Sequence, residues 1–343
     1  MRVEGIRLCL TPRIPGMAGP ASFQRRITIG LTRRGVQVVR DLYDDSIDAI
    51  LVVGGTRNIL GLQYLRRRGI PIIQRLDGMN WIHRRAKTGL RHYVKAELNN
   101  LLLRTIRRIY ADYVVYQSKF AKDWWEREHG TTSKGCAVVH NGVPLDKYTP
   151  HGDDEKPIDR SVVLMVEGNL SGGYEVGLEA GVELVRRLSE EMIVELQVAG
   201  NAPGVVRSKY DPMDGVAVRW LGLVHPDDIP KLDRSAHLLY SGDPNPACPN
   251  AVIEALGCGL PVLAFDTGAL PEIVTGDSGI VVPYGSDPWR LEPPDMDSLT
   301  HAAKEIISQQ SRFREGARTR AEKSFSLDLM VEGYLRAMGE AVE

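Results

Sequence analysis

Pro249-Asn250-Ala251-Val252-Ile253-Glu254-Ala255-Leu256-Gly257-Cys258-Gly259-Leu260-Pro261-Val262-Leu263-Ala264 is the most informative stretch of the chain. It reads as a loop, one helix, a glycine stop and a buried strand. Asn250 is placed to cap the helix, and Glu254 falls in its early turns, facing the mouth of a site. Cys258-Gly259 ends it, because glycine takes the left-handed conformation that closes a helix. Residues 261–265 are apolar without alternation, as a parallel strand covered on both faces is. Gly268 and Pro271-Glu272-Ile273-Val274 follow at once. A helix N-terminus at the carboxyl edge of a parallel sheet attracts anions, since unpaired N–H groups and the helix dipole point at it. A carboxylate one turn inside suits a ribose diol, which donates two hydrogen bonds. These features describe a nucleotide-diphosphate pocket around Asn250, Ala251 and Glu254.

Working outward, strands and helices alternate. Strands are expected at 6–10, 36–39, 49–53, 71–75, 113–116 and 135–139, with helices at 21–34, 59–68, 88–108 and 119–128. A polar stretch without period, 151–160, reads as a linker. A second series follows, with strands at 161–166, 193–199, 216–221 and 238–241. Its helices are expected at 175–188, 229–235 and 296–309, and a last helix near 327–341. Such alternation implies two parallel sheets with helices on both faces. The chain length of 343 residues allows two domains of that kind. The domains are set at 1–150 and 161–325, with 326–343 as a terminal helix.

Composition excludes several classes. No run of about 18 apolar residues exists, so no transmembrane helix is expected. The N-terminus carries no apolar signal core. Four scattered cysteines without metal-ligand spacing suit small buried apolar roles in a reducing cytoplasm. Neither sheet opens on a Gly-x-Gly-x-x-Gly turn with an acidic residue some 20 positions later, which disfavours a dehydrogenase. The net charge of −1 hides an asymmetry: residues 1–148 hold 26 Lys+Arg and 12 Asp+Glu, and the remainder 17 and 32. Halves so different suggest different partners.

The run Glu254-Ala255-Leu256-x-Cys258-Gly259-Leu260-Pro261-Val262, followed by Gly268-x-x-x-Glu272-Ile273-Val274, resembles the donor signature of retaining GT-B glycosyltransferases. The family is the large one typified by sucrose synthases and bacterial mannosyltransferases, glycosyltransferase family four. His140-Asn141-Gly142-Val143 before Tyr148-x-Pro150 matches its domain junction, and Gln117-Ser118-Lys119-Phe120 a strand-end motif of its first domain. The resemblance implies an α/β fold of two Rossmann-like, doubly wound domains facing a cleft, with the last helix returning to the first domain. It implies transfer of a sugar from a nucleotide-diphosphate sugar to a saccharide or lipid-linked acceptor, with retained configuration and no cofactor or metal.

Candidate residues follow from position. Gly16 and Gly19 lie in the first strand-to-helix turn, where glycine lets backbone approach phosphates or simply supplies positive φ. Asp77 follows a strand; it either accepts from sugar hydroxyls as the catalytic-side carboxylate or bonds its own backbone in an Asx-turn. Arg75 and His83 are placed on the acceptor side. Gly168, Asn169, Gly172 and Gly173 correspond to the family's phosphate loop, and the backbone at Val224 to its base-reading turn. Three departures stand out. The arginine expected near Asn169 and the lysine near Gly172 are missing, and the first glutamate of the donor motif falls on Pro246. Arg13, Arg75 or Lys209 is left to supply a cation, and Asp243, Asn245 and Asn250 to replace the sugar contact. A catalytically weak nucleotide-binding paralogue is the alternative that these losses favour.

Residues 84–108 concentrate the basic charge: Arg84, Arg85, Lys87, Arg91, Lys95, Arg104, Arg107 and Arg108 against Glu97. Leu90, Val94, Leu98, Leu101, Ile106 and Ile109 recur at helical spacing. The stripe either packs on the sheet beneath solvated arginines or lies on an anionic membrane. A basic groove for an acidic saccharide is a third option. Nucleic acid is not expected, because no recognition motif accompanies the charge.

Overall fold

The computed structural model describes residues 5–17, 19–154, 156–210 and 216–342. They form two compact units. The first holds the chain up to Trp81, Gly89–Gly142 and the residues from Leu327 onward; the second holds Ile82–Thr88 and Val143–Ser326. Residues 82–88 and the whole stretch 143–160 therefore go with the second unit, where the sequence reading sets a boundary at 150 and a linker. The stretch is tied down by side chains: Arg234 Nε donates to Asp154 at 2.8 Å, and Arg318 to the carbonyls of Tyr148 and Gly257 at 2.8 and 2.7 Å.

The first unit runs β1 (Arg7–Thr11), α1 (Gly19–Arg33), β2 (Gln37–Val39), β3 (Ala49–Val53), α2 (Ile59–Arg67), β4 (Ile72–Leu76), α3 (Leu90–Thr105), β5 (Tyr113–Tyr116), α4 (Lys119–His129) and β6 (Gly135–Val138). Its strands lie parallel in the order β2-β1-β3-β4-β5-β6. Every residue of β3, β4 and β5 is buried; β3 reads as an unbroken apolar run, whereas β4 buries Gln74 and Arg75. Ser118 starts α4 by accepting from the Ala121 N–H, and Gly130, at φ +74°, ends it. The long basic helix is shorter than expected: α3 stops at Thr105 and a single π-helical turn, Ile106–Tyr110, brings the chain into β5.

The second unit runs β7 (Ser161–Asn169), α5 (Glu175–Leu188), β8 (Val194–Asn201), α6 (Gly204–Arg207), β9 (Ala217–Gly222), α7 (Ile229–Ser235), β10 (Leu238–Ser241), α8 (Asn250–Gly257), β11 (Val262–Phe265), α9 (Leu270–Ile273), β12 (Gly279–Val282), α10 (Met296–Ser308) and α11 (Gln310–Ser324). Its sheet is parallel in the order β12-β11-β10-β7-β8-β9. The last helix, α12 (Leu327–Val342), belongs to the first unit. There Val331 lies so close to Gly30 that a Cβ on the glycine would be 2.3 Å from it, and the Tyr113 hydroxyl donates to Glu340 at 2.6 Å.

Strand order reverses between β1 and β3 in the first sheet and between β7 and β10 in the second. Ligands of open α/β sheets bind at the carboxyl ends of strands at such points.

Candidate donor site

The helix α8 is built much as its sequence suggests. Cys258 is its C-cap, Gly259 takes φ +68°, and the N–H groups of Gly259 and Leu260 return to the carbonyls of Leu256 and Ala255 at 3.0 and 2.8 Å. That double bond is the glycine-terminated helix end the Cys-Gly pair calls for. Its start differs. Pro249, not Asn250, is the N-cap, and it makes no side-chain cap bond. Proline has no side-chain acceptor, so the first-turn N–H groups from Asn250 and Ala251 onward receive no bond from the cap residue. Glu254 sits in the second turn and is only 8% exposed. Its neighbour is Asp233 of α7, whose carboxyl is fully buried and raised well above its ordinary value, first by burial and then by the charge of Glu254.

Gly168 lies near the end of β7, and the turn between β7 and α5 holds Gly172 and Gly173 at the strand reversal. Asn169 ends β7, and its side chain lies outside the described set. Gly172 and Gly173 have φ of +74° and +107°, so both need glycine. Their N–H groups, the donors expected to meet phosphate, are already engaged. Glu175, the first residue of α5, accepts from Gly172 at 2.9 Å and from Gly173 at 2.6 Å. A carboxylate is favoured at a helix N-terminus for the same reason a phosphate is. Around Gly173 there is no spare room, because a Cβ would lie 2.3 Å from Ile82 and 3.0 Å from Ala86. Val224 is half-buried in the turn between β9 and α7, beside the exposed Leu223.

In the first unit, Gly16 and Gly19 are exposed with φ of +101° and +52°, and a Cβ on either meets nothing within 4 Å. Ala18 between them lies outside the described residues. Arg25 grips the carbonyls of Gly16 and Met17 at 2.9 and 2.6 Å. Asp77 stands half-buried just beyond β4; burial raises its carboxyl and the charge of Arg75 pulls it back. Trp125 Nε1 donates to the Asp77 carbonyl at 2.7 Å. The two residues placed on the acceptor side are both buried, Arg75 at 2% and His83 at 5% exposure. Arg75 donates to Asn141 at 3.0 Å and lies 3.9 Å from the centre of the Phe23 ring, while Asn141 donates to Gln117. It ties together residues of the junction and strand-end motifs and presents no open guanidinium. His83 belongs to the short Ile82–Arg84 turn, which goes with the second unit. Of the other candidate cations, Lys209 is paired with Glu179 at 2.6 Å, and Arg13 is exposed.

Residues 161–308 match the family profile described as glycosyl transferases group 1. D-inositol 3-phosphate glycosyltransferases of Mycobacterium bovis and Mycobacterium tuberculosis are 27% identical over 233 residues. The match takes in 62% of this chain and 46% of theirs, so the chain spans about half the length of these curated relatives. Residues 161–308 are thus similar to the group 1 glycosyl transferases. Solved structures agree on the fold. Sucrose-phosphate synthase from Thermosynechococcus elongatus superposes with a TM-score of 0.72 over 96% of this chain and 98% of its own, at 13% identity. Alr3699/HepE of Anabaena, solved with UDP and glucose, gives 0.70 over 97% and 99%, at 14% identity. The architecture is the two-domain, Rossmann-like GT-B fold.

Within the group 1 domain, three acidic residues were not picked out as a unit by sequence reasoning. Glu167 and Asp243 stand at the carboxyl ends of the neighbouring strands β7 and β10, at the strand reversal. The Glu167 carboxyl is raised by burial and by the charge of Asp243, against a bond from the Gly242 backbone; Asp243 is raised by burial, against a bond from the Asn245 backbone. Asp233, fully buried beside Glu254, is the third. The legible signal was negative: the loop's missing cations already mark this end of the sheet as short of positive charge.

Proposed function

We propose that the chain moves a sugar from a nucleotide-diphosphate sugar to a saccharide or lipid-linked saccharide acceptor, with retention of anomeric configuration and without a resident metal or cofactor. The observation that supports this most is α8. Its N-cap, Pro249, offers no side-chain acceptor to the first turn, the helix follows β10 at the strand reversal of the second sheet, and Glu254 stands one turn inside. In this reading Glu254 accepts from the ribose diol, while the first N–H groups of α8, at Asn250 and Ala251, face the diphosphate. The backbone at Val224 reads the base edge, and Asp77 accepts from hydroxyls of the transferred sugar. Stabilising charge on the departing diphosphate is the main catalytic demand. The uridine nucleotide bound in the Anabaena structure makes uridine-diphosphate sugars the first donors to try. A panel of nucleotide sugars tested by thermal denaturation checks the reading, since a ligand of the folded state raises its stability by mass action. One donor should raise the midpoint and the others leave it unchanged; a uniformly flat panel would sink the proposal. A chelator should leave turnover unaltered.

A second reading, a weak or inactive nucleotide-binding paralogue that partners an active transferase, is favoured by one observation. Glu175 occupies the two glycine N–H groups of the β7–α5 turn, and the Glu167–Asp243 pair lies at the same strand ends. Donor binding there must displace one carboxylate and face two more. Catalysis with full stabilisation on addition of donor and acceptor rejects this reading; binding without turnover supports it. All four cysteines are unpaired, which suits a reducing cytoplasm. No helix among the described residues is long and apolar enough to cross a membrane.

A further inference from the structure

The helix α3 resolves the ambiguity of its own sequence. Its apolar stripe is turned outward: Leu90, Val94, Leu98 and Leu101 are 80%, 47%, 59% and 55% exposed, and Tyr93 is exposed beside them. At 100° per residue these side chains share one face of the helix. The other faces hold α3 in place. Ala96 and Asn100 are buried, and Asn100 is bonded to the backbone of Asn80 through both its Oδ1 and its Nδ2. Leu102 and Leu103 reach the glycine pair after β3, where a Cβ on Gly55 would be 3.2 Å from Leu103. Of the expected stripe and its basic company, only Ile106 and Arg107 are core. Arg107 is spent on the Tyr116 hydroxyl at 2.8 Å and the Gly130 carbonyl at 2.7 Å.

The exposed leucines are not alone. Arg91 and Lys95 flank the stripe on one side and Arg104 on the other, Arg108 follows in the π-helical turn, and all four are exposed, against the single half-buried Glu97. Exposed apolar residues gathered in a row mark an interaction surface. The charge around them decides the occupant. A second copy of this chain would bring two such cationic rims together. An anionic lipid surface accepts the leucines among its acyl chains and the cations among its headgroups.

We infer that α3 docks the protein on anionic lipid, lying in the plane of the interface with Leu90, Val94, Leu98 and Leu101 inserted and the four cations at the headgroups. This rests on the exposed face of α3 and not on the transferase reading, so the two can fail separately. A lipid-linked acceptor would then be met at the surface that α3 binds.

The test is flotation of the full chain with vesicles of phosphatidylcholine alone, or with about 30 mol% phosphatidylglycerol, at low and at high salt. Partition into anionic vesicles should exceed that into neutral ones by about tenfold or more and fall as salt rises. The double variant Leu98→Ser, Leu101→Ser should lose that partition while its thermal midpoint and its nucleotide-sugar binding stay unchanged, because both side chains are exposed. Equal flotation with the two kinds of vesicle overturns the inference. Full flotation of the double variant also overturns it, because charge alone would then explain binding. Sedimentation as a dimer that the double variant dissociates overturns it in favour of a second copy on the stripe. Loss of flotation with donor binding intact, or the reverse, shows which of the two readings has failed.

Discussion

The two strand-to-helix turns that open α1 and α5 hold comparable glycines and are finished in opposite ways. After β1, an arginine of the following helix takes the carbonyls of Gly16 and Met17, and the glycines stand in open space. After β7, a glutamate of the following helix takes the N–H groups of Gly172 and Gly173, and Gly173 is closed over by Ile82 and Ala86. A glycine turn is thus a phosphate cradle only if nothing in the protein already satisfies its donors. Here the second turn carries its own anion, in the more acidic part of the chain, and in the proposed reading α8 is left to bind the diphosphate.

The comparison can be broken most sharply by filling the glycines. Gly173→Val meets Ile82 and a backbone that side chains rarely adopt, so it should cost about 2–4 kcal/mol of stability with or without nucleotide. Gly16→Ala should cost only about 1–2 kcal/mol, from its positive φ alone. Denaturant unfolding of both variants measures the gap, and equal losses would erase the distinction between the turns. Loss of nucleotide binding in Gly173→Val therefore says little about phosphate, whereas a change at the open Gly172 is the cleaner probe.

Next in size is Glu254→Ala, which should weaken nucleotide binding by about 1.5–3 kcal/mol, the range for a hydrogen bond to a charged group. Calorimetry showing unchanged affinity in a folded variant would remove Glu254 from the ribose. Glu175→Ala sharpens the comparison from the other side. It frees the two N–H groups and should tighten nucleotide-sugar binding by about 1 kcal/mol, roughly fivefold. The same change should cost α5 about 0.5–1 kcal/mol. Weaker binding in this variant would mean that Glu175 supports the ligand rather than standing in for it.

Much of this was legible beforehand. The sheets were, because β3 and β11 are buried on both faces and so have no polar alternation to confuse the reading. The stop of α8 was, because Cys-Gly permits one geometry. The helix α11 was not: it is polar throughout except for one narrow line, Phe313, Ala317 and Ala321, and shows almost no apolar face. The edge strand β12 was also missed, although it is no shorter than β10 and β11. The direction of the α3 stripe was also hidden, since an apolar row flanked by arginines looks the same whether it faces a sheet or a lipid. The engagement of Glu175 could have been found, because an acid at the first position of a helix after Gly-Gly is within reach of those N–H groups.

The smallest expected effect is on pH. The carboxyls of Glu167 and Asp243 are raised in the folded protein, to about 8 and about 6, so the folded state holds protons that the unfolded chain has released. Stability linked to the pair is therefore full at low pH and is lost as pH rises through those values. Binding of a nucleotide sugar, whose diphosphate keeps a constant charge over this range, should tighten by less than about fivefold between about pH 8 and about pH 6. A flat profile, or one that Asp243→Asn leaves unchanged, would place the pair away from the diphosphate.

The central claim is that this chain, with its phosphate turn self-occupied, still transfers sugar. Incubating the purified protein with the stabilising nucleotide sugar and candidate acceptors, and following nucleoside diphosphate release together with the anomeric configuration of the product by NMR, tests it directly. The account predicts acceptor-dependent release and a product with the donor's own anomeric configuration, both lost in Glu254→Ala. Tight donor binding with no release for any acceptor, or an inverted product, would contradict it.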